Sequence, residues 1–200
     1  MKNKILIMII LCLAASSCLK EKLEEGYSKQ EQKIDDYLMK NMTMQRDSIK
    51  TEINPETGES VEKIVKYTDT LRIEYNNGAA RLVREEGTGE PLTEQGAVSF
   101  YYAGYLFTSS PSTLFTTNHQ STAEGSGFNL TDADYELFEA DMRDVELLNG
   151  LRNGLIGVQA GEECEIIFSG KYAFGNHIFG IIPANSALLF KIWVVGVSND

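Results

Sequence analysis

Histidine, proline, cysteine and tryptophan are scarce in this chain of 200 residues, which holds two, four, three and one of them respectively. The two histidines, His119 and His177, stand alone and no cluster of cysteine and histidine exists, so the sequence predicts no metal site. It also contains no glycine-rich phosphate loop and no serine, histidine and aspartate spacing typical of a hydrolase. We therefore expect neither a metal nor a cofactor.

Basic residues are also in deficit, since 18 lysines and arginines face 29 aspartates and glutamates, for a formal net charge of −11. Such an acidic surface repels phosphate backbones, so nucleic acid is not expected as a partner. Among the few cysteines, Cys164 alternates with Ile166 and Phe168. This pattern predicts a small buried hydrophobic residue rather than a nucleophile.

Residues 1–17 have the layout of a secretory signal peptide. Lys2 and Lys4 precede an apolar run that is shorter than the roughly 20 residues needed to span a bilayer. Small residues at 14–17 directly before Cys18 resemble the lipobox of bacterial lipoproteins. The resemblance implies that Cys18 becomes the first residue and carries the lipid that holds the protein at the membrane. The alternative is an ordinary signal peptide that happens to contain a cysteine.

Residues 18–30 are predicted to be a lipidated tether, because they are polar, rich in glutamate and lysine, and have little to bury. The charged stretch at 20–25 resembles the export tag that sends some Bacteroidota lipoproteins to the cell surface, and a plain solvated linker is the alternative. The expected location is the cell envelope, as an outer-membrane lipoprotein that faces the periplasm or the cell surface.

Residues 31–70 are predicted to form an extension with a helix and a hairpin. Ile34, Leu38 and Met42 recur at helical spacing, which predicts a short amphipathic helix. A turn with proline and glycine at 54–58 separates two β-prone stretches and gives a weak hairpin signal.

Residues 71–200 are predicted to form an α+β domain, in which one helix packs on an antiparallel sheet. The Asn77-Gly78 pair predicts a tight hairpin, because both residues tolerate a positive φ. The other predicted elements are strands at 98–107, 164–168 and 187–197, a helix at 144–158, and loops at 108–127 and 172–183.

Five motifs follow one another here: Asn149-Gly150-Leu151-Arg152-Asn153-Gly154-Leu155, Ala160-Gly161-Glu162-Glu163, Tyr172-Ala173-Phe174-Gly175, Gly180-Ile181-Ile182-Pro183 and Leu188-Leu189-Phe190. Their order and spacing are similar to those of FKBP-type peptidyl-prolyl isomerases, and the resemblance covers about residues 75–197. The fold that it implies is a twisted antiparallel sheet wrapped around one short helix, in agreement with the α+β prediction.

The resemblance also implies an apolar pocket for proline-containing peptides. The residues carried over as catalytic are Tyr102, Phe115, Thr116, Phe174 and Phe190. Those carried over as substrate-binding are Phe138, Leu147, Leu148, Leu151, Ile181 and Ile182. Phe128 is a rival for the place of Phe138, because residues 108–146 are longer than the family's usual segment. The alternative for the aromatic residues is that they simply pack in the core.

Three positions depart from the family's usual residues. Thr116 stands where the family usually has aspartate, Phe174 where it usually has a second tyrosine, and Leu151 where it often has tryptophan. Two polar groups that often contact the ligand are thus altered, while the apolar shell is retained. We expect an isomerase or folding assistant of reduced activity that acts on exported client proteins. The alternatives are a module that binds peptides or proteins without useful turnover, and a surface lipoprotein that functions through its 108–127 loop.

Overall fold

The computed structural model describes residues 2–55, 59–128, 130–143 and 146–199, with side chains from residue 20 onward except those of residues 132 and 133. The predicted lipidation site at the Cys18 side chain and part of the predicted turn at 54–58 lie outside the described residues. The elements are α1 (Lys2–Asn41), β1 (Thr43–Ile53), β2 (Ser60–Thr70), β3 (Ile73–Asn76), β4 (Ala79–Glu85), β5 (Ala97–Phe107), β6 (Pro111–Thr117), α2 (Gln120–Ser126), β7 (Phe138–Asp141), α3 (Asn149–Leu155), β8 (Glu163–Phe168) and β9 (Ala187–Ser198).

An antiparallel sheet of seven strands in the order β3-β4-β8-β9-β5-β6, with β7 added along β5, forms the centre of the molecule. Alternate residues of its strands face α3 and bury an apolar cluster that includes Phe100, Leu155, Ile166 and Leu188. The predicted fold, an antiparallel sheet around one short helix, is confirmed.

Two glycines allow α3 to lie close against β8. A Cβ atom at Gly150 would lie 2.1 Å from the ring of Phe168, and one at Gly154 would lie 2.2 Å from Ile166. The predicted helix at 144–158 is too long, since α3 has seven residues and begins after Leu148. Leu147 and Leu148 precede the helix but continue its apolar pattern, because they pack against the same apolar cluster as Leu151 and Leu155.

The segment at 108–127 is not the loop that its serine, threonine and glycine content predicted. It contains strand β6, which pairs with β5 between Ala103 and Phe107, and the short helix α2. Pairing with a long central strand overrides the weak local preference of this composition.

Residues 18–30, which the sequence predicts to be a lipidated tether, belong to the continuous helix α1. Their role as a tether stays a prediction. Tyr27, Ile34 and Leu38 are buried, and they lie along one side of the helix. From residue 20 onward the other sides of the helix are mostly polar and exposed, so the average composition hides the narrow apolar stripe. No helix within the described residues combines the length and apolarity required to cross a bilayer.

Both predicted hairpins are present. Strands β1 and β2 pair from Thr43 opposite Thr70 to Ile53 opposite Ser60. Strands β3 and β4 are joined by Asn77 and Gly78, which have φ angles of 43° and 84° and form the predicted tight turn.

Candidate functional site

A cleft of about 620 Å³ opens between the sheet, the start of α3 and the segment after β8. Its walls are almost entirely apolar. The residues that line it are Phe100, Tyr102, Phe115, Thr116, Phe128, Phe138, Leu147, Leu148, Leu151, Phe174, Phe179, Gly180, Ile181, Ile182 and Phe190.

One wall is a cluster of three rings from β5 and β7. Phe100 and Tyr102 lie two residues apart on β5 and therefore point to the same face of the sheet. The ring of Phe138 contacts both of them edge-on, with centroid distances of 5.4 Å to Phe100 and 5.8 Å to Tyr102. Such edge-to-face pairs add to the free energy of burial and fix the ring orientations.

Phe190 on β9 forms the floor beside Leu151 of α3, and both are almost completely buried. The ring of Phe115 meets that of Phe190 edge-on at 5.7 Å, while Phe168 stacks on Phe190 at 6.0 Å from the core side. Phe190 is therefore both a core residue and a cleft residue.

The segment after β8 supplies the remaining wall. The rings of Phe174 and Phe179 are stacked with centroids 4.5 Å apart. The backbone N–H of Phe179 donates to the carbonyl of Ile182 at 3.0 Å, and the N–H of Ile182 donates back at 2.8 Å. This tight turn leaves Ile181 63% exposed at the rim and buries Ile182, which is 2% exposed.

Asn118 joins the cleft strands through its side-chain amide and is itself buried. Its Oδ1 accepts the Tyr102 N–H at 2.6 Å, and its Nδ2 donates to the carbonyl of Glu136 at 2.9 Å. The segment that leads into Phe138 is thereby held against β5. The sequence analysis missed this residue, because an asparagine between a strand and a short helix resembles any other turn residue.

The helix that carries Leu151 is held from behind by a buried arginine. Nη1 of Arg81 donates to the carbonyls of Gly154 and Ile156 at 3.1 and 3.0 Å, which caps the C-terminal end of α3. Nε of Arg81 lies 3.4 Å from a carboxylate oxygen of Glu162, and both side chains are buried. Burial raises the pKa of Glu162, although Arg81 opposes that shift.

A sequence profile of the FKBP-type peptidyl-prolyl cis-trans isomerases matches residues 90–195. The chain belongs to this family. It is 28% identical over 119 residues to FK506-binding protein 1A of Neurospora crassa, covering 58% of this chain and 86% of that protein. The solved structure of the three FKBP domains of wheat FKBP73 matches with a TM-score of 0.52 and 21% identity. That match covers 74% of this chain and 61% of the wheat chain, and it shows the fold.

All eleven side chains that the sequence assigned to the FKBP-type pocket line this one cleft. Phe128 and Phe138, which the sequence left as rivals, both line it. Their catalytic and binding roles stay predictions. Phe100 and Phe179 were missed, although the two-residue spacing of Phe100 from Tyr102 could have identified it.

The site of this FKBP-type chain offers few polar groups. Thr116 and the hydroxyl of Tyr102 are the side-chain hydroxyls among the residues that line it. Within the described part of the chain, no group of three or more histidine, cysteine, aspartate or glutamate side chains is placed to hold a metal ion. The cleft is suited to enclose an apolar group.

Proposed function

We propose that this protein is a peptidyl-prolyl cis-trans isomerase of the cell envelope that accelerates rotation about X–Pro bonds in exported proteins. The observation that carries the proposal is the cleft itself, whose aromatic and aliphatic walls contain the residues that match the FKBP-type pocket. Its volume of about 620 Å³ is in the range of ordinary ligand pockets.

The chemistry requires no nucleophile and no metal. Rotation about the amide bond has a barrier of about 18–20 kcal/mol because it breaks the resonance of the amide. The twisted amide has a smaller carbonyl dipole than the planar one, so an apolar environment favours the twisted state relative to the planar amide in water. Catalysis is then tighter binding of the twisted state than of the ground state.

Thr116 and Phe174 support a reduced rate of turnover. With threonine and phenylalanine in place of the usual aspartate and tyrosine, the cleft has fewer groups that can orient the substrate backbone in the twisted state. The same observation favours the second candidate function, a module that binds proline-containing peptides with little turnover.

A protease-coupled isomerisation assay with Leu-Pro and Phe-Pro peptides, on the chain that starts at Leu19, tests the proposal. Tyr102→Ala should abolish the catalysed rate and the peptide binding. Tyr101→Ala is the matched control, because Tyr101 is the neighbouring tyrosine on β5 and is not among the residues that line the cleft. Peptide binding without catalysis would support the second candidate function. If the wild-type protein shows neither catalysis nor peptide binding, the cleft is not a site for proline-containing peptides.

We also propose that lipid on Cys18 holds the protein at the membrane. The support is the apolar run and the small residues before Cys18. Cys18→Ala should release the protein from the membrane fraction or block its maturation, whereas Cys12→Ala should do neither. A Cys18→Ala protein that is processed and fractionates normally would refute the lipid anchor.

A further inference from the structure

Residues 170–185, which we call the pocket loop, include Phe174 and Phe179 and form one wall of the cleft. The two ends of this loop lie next to each other. Asn185 donates its N–H to the carbonyl of Gly175 at 2.6 Å, and Gly175 donates to Gly170 at 3.0 Å. A Cβ atom at Gly170 would lie 2.5 Å from the carbonyl carbon of Asn185, so glycine is required for this close approach.

Helix α1 bridges these two ends with one side chain. The Oε1 atom of Gln30 accepts the N–H of Gly170 at 2.8 Å, and its Nε2 atom donates to the carbonyl of Asn185 at 2.6 Å. One carboxamide thus joins the first and the last residue of the pocket loop.

Tyr27, one helical turn before Gln30, adds a second contact. Its hydroxyl donates to Oδ1 of Asn185 at 2.8 Å, and its ring is buried. Asn185 has a φ of 59°, a left-handed conformation that costs free energy for a residue other than glycine. The contacts from α1 to the carbonyl and the side chain of Asn185 stabilise this conformation.

We propose that Gln30 and Tyr27 are positioning residues, through which α1 fixes the pocket loop and with it the wall formed by Phe174 and Phe179. A loop whose ends are pinned loses most of its alternative conformations before the substrate binds, so the cost of ordering it on binding falls. The consequence for turnover rests on the proposed isomerase function, whereas the effect on the loop and on peptide binding does not.

Hydrogen exchange of the amides at 174–182 tests the proposal directly, in Gln30→Ala and in Tyr27→Phe. Loss of the two Gln30 contacts should speed exchange in this segment by roughly tenfold, since each hydrogen bond contributes a modest net stabilisation. Tyr27→Phe keeps the buried ring and should give a smaller increase. The matched control is Gln32→Ala, because Gln32 is an exposed glutamine on the same helix.

Two further measurements separate positioning from general stability. Gln30→Glu keeps an acceptor for Gly170 but places a carboxylate oxygen where Nε2 of Gln30 donates to the carbonyl of Asn185, so exchange in the pocket loop should stay faster than in the wild-type protein. The affinity for a proline-containing peptide should be lower in both Gln30→Glu and Gln30→Ala than in the wild-type protein, with exchange of the β5 and β9 amides unchanged.

Amide exchange at 174–182 that is as slow in Gln30→Ala as in Gln32→Ala would overturn the proposal. Faster exchange throughout the sheet would also overturn it, since it would show a loss of global stability instead. If the wild-type protein binds peptide but lacks isomerase activity, the proposed turnover fails while the exchange and affinity measurements still decide the role of Gln30.

Discussion

The rings of Phe174 and Phe179 lie parallel, with an interplanar angle of 6° and centroids 4.5 Å apart. This stack occupies the part of the cleft where an FKBP-type pocket usually presents a tyrosine at the position of Phe174. Two apolar rings in contact therefore form this wall, and its shape depends on Phe179 as much as on Phe174 of the family motif.

Phe179→Ala should weaken peptide binding, because Phe174 loses the ring that holds it in place. An aromatic pair contributes about 0.5–1.5 kcal/mol beyond its buried area, which corresponds to roughly a twofold to tenfold loss of affinity. Fluorescence anisotropy with a labelled Leu-Pro peptide measures this. Ile178→Ala is the control, because Ile178 is the adjacent residue, is 75% exposed and is not among the residues that line the cleft. Equal effects of the two substitutions would contradict the role of the stack.

Thr116→Asp combined with Phe174→Tyr should raise the catalysed rate, because the added polar groups can orient the substrate backbone in the twisted state. One recovered hydrogen bond contributes about 0.5–1.5 kcal/mol, so the gain is expected to be at most roughly tenfold. The isomerisation assay on both single variants and the double variant measures it. If the double variant gains neither activity nor affinity, these two positions do not limit the reaction.

Arg81→Met should destabilise the fold strongly, because it removes the donor to the last carbonyls of α3 and leaves the buried carboxylate of Glu162 with Arg72, whose Nη2 atom is 3.6 Å away. Breaking a buried ion pair from one side costs about 3–5 kcal/mol of unfolding free energy. Arg143→Met is the control, since its ion pair with Asp141 is exposed and should contribute little to stability. Urea unfolding measures both. A small effect of Arg81→Met would contradict the stabilising role of this buried ion pair.

The imidazole of His119 stacks on the indole of Trp193 at 3.8 Å, and burial lowers the pKa of His119 below its usual value of 6.5. The unfolded chain therefore protonates His119 more readily than the folded protein does. The contribution of neutral His119 to the free energy of unfolding is complete above pH 6.5, and it is lost as the pH falls through the lower pKa of the folded state. Because Trp193 is the one tryptophan of the chain, its fluorescence should report the titration.

His119→Gln should abolish the fluorescence change and flatten the dependence of the melting temperature on pH between pH 7 and 5. His177→Gln serves as the control, because His177 lies outside this stack. A midpoint above pH 6.5 in the wild-type protein would contradict the effect of burial.

The sequence predicts the sheet, the hairpin turns and the cleft residues well at positions where the structure requires one particular residue type. Asn77 and Gly78 permit a positive φ, and Gly150 and Gly154 permit close packing, so their positions indicate the structure directly. Phe179 carries no such signal. Its place in the cleft results from the turn around Ile182, which local sequence does not specify.

The sequence predicted a short helix around Ile34 and Leu38, but it missed the continuation of α1 through residues 18–30 for a different reason. Its buried residues are spaced seven and four apart, at Tyr27, Ile34 and Leu38, and the residues between them are mostly charged or polar. Average composition therefore indicates a solvated tether. What holds the helix in place is a set of contacts to residues distant in sequence, such as the hydrogen bond from Tyr37 to Glu165, and these become visible only in three dimensions.

Leu38→Ala tests whether α1 is part of the folded core. Leu38 is fully buried in a cluster with Leu82, Phe107 and Leu189, so its truncation leaves a cavity beneath the sheet. A leucine-to-alanine change in such a site costs about 2–5 kcal/mol. The matched control is Met39→Ala, because Met39 is the next residue of the helix and is 64% exposed.

Urea unfolding followed by the fluorescence of Trp193 on β9 decides the matter, because this probe lies outside α1. If the helix and the sheet unfold as one unit, Leu38→Ala lowers the midpoint seen at Trp193 while Met39→Ala changes the free energy of unfolding by less than about 0.5 kcal/mol. If α1 were instead an independent tether, both substitutions would leave the Trp193 transition unchanged. Gln30 can fix the ends of the pocket loop only in the first case, since a helix that detaches from the sheet cannot hold Gly170 and Asn185 together.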